Sequence, residues 1–171
     1  LIPDYNLRTT NKYNRFYGSG YYRRFFDANN DVLYSSISDT DMDDYTATTI
    51  ALGNIGFFDS TMPWLHNIND ELLIRQYYLM DILSKKYSNN DIQSIEYYGN
   101  SIWSQLSDAI LEGYNFTNPQ IRENYTSNLT IYINRNSDKS LTINSRGNDY
   151  VLPPYGLLAF DNQGFFLYSG H

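Results

Sequence analysis

From Gln120 onward, core-type side chains recur at every second position and stop at turn residues, which confines the last third of the chain to short antiparallel strands. Ile121, Glu123 and Tyr125 fall on one side, as do Leu129, Ile131 and Ile133, and then Leu141 and Ile143. Asn136-Ser-Asp-Lys139 and Arg146-Gly-Asn-Asp149 are turn clusters. Pro153-Pro154 ends the strand that carries Val151 and Leu152, because proline gives no N–H to a ladder. Gly156 to Phe160 and Phe165 to Tyr168 flank Asp161-Asn-Gln-Gly164, a four-residue hairpin connection. Five or six strands result, enough for a small sandwich or half of one.

Helices precede this sheet. Asp70 and Glu71 in a first turn behind Asn69, and Lys85 and Lys86 in a last turn, bracket the clearest one. Along it Leu72, Leu73, Gln76, Leu79, Met80, Leu83 and Tyr87 trace a core-facing stripe. A second helix is predicted from about Asp41 to Leu52, ended by Gly53, with Ala47, Ile50 and Ala51 on one side. Asn54 to Phe58 reads as a short buried strand, and Ile92 to Tyr98 as an extended piece. Ile102, Trp103, Leu106, Ala109 and Ile110 fit a short helix or a twisted strand equally well. The fold class is α+β, with a division expected between residues 1–118 and an antiparallel β-sandwich over residues 119–171.

Composition narrows the partners. A net charge of −7 argues against nucleic acid, which demands concentrated Lys and Arg. No run of about 18 apolar residues is present to span a membrane. Cysteine is absent, which removes disulfides, thiolate zinc sites and thiol nucleophiles together. Eighteen tyrosines suit half-buried surfaces, interfaces and sugar platforms alike, although an Asn-, Tyr- and Ile-rich coding bias accounts for them as well. The opening Leu-Ile-Pro-Asp, with no initiator Met and no leader, is read as the start of a mature form or fragment.

The order of helices, then Asn-Leu-Thr-Ile-Tyr-Ile-Asn (128–134), Leu-Pro-Pro-Tyr-Gly (152–156) and a closing strand ending Tyr168-Ser169, resembles the C-terminal end of a bacterial glycoside hydrolase of the endo-α-N-acetylgalactosaminidase-like kind. The resemblance covers roughly residues 40–170. It implies the last strand and helices of a (β/α)8-type barrel, drawn from Tyr45 to Phe58 and the helix at Asp70, followed directly by the small β-sandwich. It also implies carbohydrate as the partner, an extracellular or cell-surface location, and either the remainder of the same polypeptide or a partner chain upstream of Leu1. Glycosidases of this kind need two carboxylates set after middle barrel strands. No carboxylate of this chain matches them, so the catalytic pair is expected elsewhere. The competing reading is a non-catalytic carbohydrate- or protein-binding module.

If Asn54 to Phe58 is a barrel strand, the loop after it lies at the face where barrel active sites are built. Asn54, Asp59, Trp64 and His66 are then the candidate substrate-binding residues, with Trp64 stacking on a sugar ring and the others bonding its hydroxyls. Asp39, Asp41, Asp43 and Asp44 have the oxygen density for Ca2+, but they lack the glycine and distal glutamate of a calcium loop, and an acid-rich helix start explains them without metal. Glu96 and Glu112 have no spacing that supports a catalytic pair. Asn115, Asn124 and Asn128 match the glycosylation acceptor pattern, as an Asn-rich chain does by chance.

Overall fold

The computed structural model describes residues 39–53, 70–117 and 119–169. They fall into two compact units divided between Ser88 and Asn89. The architecture is α+β, with a mostly antiparallel sheet. The shift to period-two alternation at Gln120 marks the first strand with a strongly buried face, and two earlier strands belong to the same sheet.

The first unit contributes helices α1 (Asp39–Ala51) and α2 (Asp70–Tyr87), which pack together. The acid-rich start and the glycine stop of α1 behave as expected: Gly53 sits at φ +62° and donates to the Ile50 carbonyl at 2.8 Å. Its burial is wider than one stripe. Ala47, Ile50 and Ala51 are buried, and so are Met42, Tyr45, Thr46, Thr48 and Thr49. The Thr46 and Thr49 hydroxyls are buried without a hydrogen-bond partner, whereas that of Thr48 finds one within the helix. Thr48 donates to the Asp44 carboxylate one turn earlier at 2.9 Å. Asp43 is ion-paired to Arg75 of α2 at 2.5 Å, which joins the two helices.

In α2 the predicted stripe is realised at Met80, Leu83 and Tyr87, all buried, while the side chains of Leu72, Leu73 and Gln76 lie outside the described residues. Ile74, Tyr77, Tyr78 and Ile82 are exposed. Lys85 in the last turn pairs with Asp81 at 2.6 Å, the favourable acid-before-base order at i,i+4.

The second unit begins with β1 (Ile92–Gly99) and β2 (Ile102–Gln105), followed by α3 (Leu106–Leu111). The ambiguous stretch at 102–110 therefore resolves into both alternatives in succession. Then come β3 (Gln120–Tyr125), β4 (Thr130–Asn134), β5 (Leu141–Ser145), β6 (Asn148–Leu152), β7 (Leu157–Phe160) and β8 (Phe166–Ser169). Six strands form one antiparallel sheet in the order β2-β1-β3-β4-β7-β8, and β5-β6 form a separate hairpin. The sandwich is thus lopsided, with six strands in one layer and two in the other.

Alternation divides the large sheet into two faces. On one, Tyr97, Ile121, Glu123, Ile131, Ile133, Leu157 and Ala159 are all buried, at registered positions across three pairs of strands. Tyr114 and Phe116 close its β1 end, with ring centroids 5.8 and 5.0 Å from Tyr97. Gly99 permits this: a Cβ there would stand 2.8 Å from the Tyr114 ring. On the opposite face Leu141, Ile143 and Leu152 of the hairpin pack onto Tyr132 and Leu158, with Trp103, Tyr98, Tyr150 and Phe160 around them.

Asn134 fixes the end of this sheet. It is fully buried, and its amide nitrogen donates to the carbonyls of Lys139, Leu152 and Pro153 at 2.7, 3.1 and 2.8 Å. Its Oδ1 accepts from Gln120 Nε2 and from the Asn136 N–H, each at 3.1 Å. The Leu152-to-Gly156 turn is closed by the Gly156 N–H donating to the Pro153 carbonyl at 2.8 Å. A Cβ at 156 would lie 2.7 Å from the Pro153 ring, so glycine is required.

Candidate functional site

Two rungs of side chains cross the hairpin-bearing face, because antiparallel register sets matching positions opposite one another. The first runs Gln105, Glu96, Arg122, Tyr132, Leu158, Tyr168, from β2 to β8. The second runs Ser94, Asn124, Thr130, Phe160, Phe166, from β1 to β8. Both change character along their length. Toward β8 they are aromatic or aliphatic, and the hairpin covers part of that end. Toward β1 they are polar, and there the surface sinks into a trough of about 650 Å3.

Glu96 and Arg122 lie at the centre of the polar end. The guanidinium forks onto the carboxylate, with Nε and one terminal nitrogen each 2.6 Å from an oxygen. Such two-pronged geometry is the strong form of the pair, and both groups are largely buried. Trp103 and Tyr132 flank the same guanidinium, their ring centroids 5.0 and 6.0 Å from its carbon. Burial works against the Arg122 charge, but bonds to Glu96 and Tyr132 outweigh it and hold the pKa above the ordinary arginine value.

Asn124 extends the network. Its nitrogen donates to Ser94 Oγ at 2.9 Å and to Glu96 at 3.0 Å, and its oxygen accepts from Thr130 at 3.1 Å. Three strands are therefore cross-linked by one amide. Gln93, Gln105, Asn128 and Asn162 stand at the rim with exposed side chains. The arrangement offers many donors and acceptors, a neutralised charge pair and a rigid floor.

Other ionisable groups are similarly engaged. Tyr125 donates to buried Glu123 at 2.8 Å. Asp161 accepts from the N–H groups of Gln163 and Phe165, closing the β7–β8 turn at 2.8 and 2.9 Å. Among the described residues no group of three or more His, Asp or Glu is placed to hold a metal ion. Of the aspartates at the start of α1, Asp43 and Asp44 have the partners given above, and the side chains of Asp39 and Asp41 lie outside the described residues.

Asn54, Asp59, Trp64 and His66, the predicted substrate-binding residues, all lie outside the described residues. The trough was not signalled in advance. Its parts read singly as strand-surface polar residues, and Glu96 drew notice only as an isolated acid. Trp103 falls in an apolar stretch of sequence, yet it turns to the Arg122 face. A usable signal was the run of polar residues alternating with core positions in β3, where Gln120, Arg122 and Asn124 mark a face too rich in hydrogen-bonding groups for plain solvent exposure. Asn124 itself, committed to Ser94 and Glu96, is a poor glycan acceptor.

Comparison of the chain with protein-family models, with curated proteins and with solved structures returns no match.

Proposed function

We propose that this chain is the C-terminal part of a carbohydrate-active enzyme that hydrolyses glycosidic bonds, with its catalytic carboxylates outside these 171 residues. In this reading α1 and α2 are the last helices of a (β/α)8-type barrel. The sheet and hairpin are the β-domain that follows it, outside the cell or on its surface. The observation that carries the reading is the Asn134 node. The strand ending in Asn134 and the Leu152-to-Gly156 turn, which are markers of the hydrolase resemblance, meet through hydrogen bonds in one buried unit. That the two segments form one buried device supports reading them together.

Two of the described carboxylates, Glu96 and Glu123, are committed to structural contacts, which supports a non-catalytic role for them. A glycosidase uses a pair of carboxylates flanking the scissile bond, one acid and one nucleophile or base. Glu96 is forked by Arg122 and Glu123 is buried on the opposite face.

The experiment compares this chain with the longer polypeptide that contains it, on a panel of 4-nitrophenyl glycosides that includes α-N-acetylgalactosaminides. The longer polypeptide is expected to hydrolyse at least one, and the 171-residue chain none. Turnover by the short chain alone, or an inert longer polypeptide, overturns the proposal.

A further inference from the structure

We infer that the trough floored by Ser94, Glu96, Asn124 and Thr130 is a binding site for a neutral carbohydrate. The inference rests on the trough itself and holds whether or not the hydrolase reading does.

Size admits a small ligand. About 650 Å3 falls inside the range of small-molecule sites, roughly 300–1,000 Å3. Chemistry then selects among ligands. An apolar molecule would strip water from amides, hydroxyls and a carboxylate and return no hydrogen bonds. An anion needs an uncommitted cation, and the Arg122 fork is already closed on Glu96. A nucleic acid would bring phosphates to a chain of net charge −7. A sugar meets none of these objections. Each hydroxyl both donates and accepts, and side-chain amides and hydroxyls do the same.

Architecture favours binding over mere wetness. Asn124 is held by Ser94, Glu96 and Thr130, so the floor is ordered before a ligand arrives and little further freedom is lost. Glu96 keeps acceptor capacity beyond its bonds to Arg122 and Asn124, because an ionised carboxylate offers about four lone-pair sites. The exposed amides of Gln93 and Gln105 stand at one rim, and those of Asn128 and Asn162 also border the trough. Phe160, whose ring is covered by Arg146 and packs against the hairpin core, borders the trough on its β7 side.

The test titrates the isotope-labelled 171-residue chain with lactose, cellobiose and maltose in turn, following the side-chain amide resonances of Gln93, Gln105, Asn124 and Asn128. At least one disaccharide is expected to give a saturable shift of these signals. Gln105→Ala, at an exposed position that leaves the network intact, is expected to weaken that affinity by about threefold to tenfold, the value of one hydrogen bond. Asn144→Ala on the distant hairpin should leave it unchanged. The inference fails if none of the three sugars gives saturable shifts, or if Gln105→Ala binds as tightly as the parent. It fails equally if sulfate or glucuronate moves the same amides as strongly, which would mark an anion site. Failure of the glycoside assays would not bear on these outcomes, since binding is read without turnover.

Discussion

At the scale of single residues, a few buried polar side chains each tie several backbone groups together. Asn134→Ala would leave the carbonyls of Lys139, Leu152 and Pro153 without their common donor, and roughly 3 kcal/mol or more of stability should disappear in urea unfolding. Tyr114 gives a pH signature. Burial raises its pKa above the ordinary tyrosine value of 10.0, opposed in part by the Gln120 N–H donating to its hydroxyl. The folded form therefore holds its proton where the unfolded form has released it. Its contribution is complete below about pH 10 and is lost as pH rises through the higher folded value. Urea titrations should show Tyr114→Phe less stable than the parent near neutrality by about 1 kcal/mol, with the gap shrinking above pH 10. The β1–β2 turn is a third case, with Asn100 at φ +50° and Ser101 at φ +65°. Asparagine accepts that region and serine does so poorly, so Ser101→Gly should raise stability by about 0.5–1 kcal/mol in the same assay.

At the scale of elements, legibility followed the range of the interactions. The charges that mark the ends of α2 sit within one helix, and its bounds were readable from Asp70 and Lys85-Lys86. The buried face of β3 and β4 was readable because alternation is local to a strand. The trough was not, because Arg122 meets Glu96 across 26 residues and Asn124 meets Ser94 across 30. Those meetings are decided by register, and single-strand patterns carry no register information. The β5–β6 hairpin shows the same limit. Its turn was legible from Arg146-Gly147, but what holds it down was not. Arg146 lies 4.3 Å over the Phe160 ring and donates to the Asp161 carbonyl at 2.6 Å. Arg146→Ala should cost about 1–2 kcal/mol and speed amide exchange in β5 and β6 ahead of the large sheet.

At the scale of the whole molecule, the barrel-end and β-domain reading remains a statement about a larger polypeptide, and the division between Ser88 and Asn89 locates the seam on which it turns. Beginning the β-domain at 119 leaves out β1 and β2, whose Gln93, Ser94, Glu96 and Gln105 all line the trough. A fragment cut at 119 should therefore fail to fold as a sheet, whereas one beginning at Asn89 retains every strand among the described residues; circular dichroism of the two pieces checks this.

The position of β8 has a mechanical consequence. It borders one neighbour, β7, through four registered residues, whereas β4 is bonded on both sides. Load applied beyond Ser169 would peel β8 away one hydrogen bond at a time, at low force. The same load on β4 must break two ladders together. An extended protein under tension would thus yield first at its last strand, with the Asn134 node and the polar trough still intact.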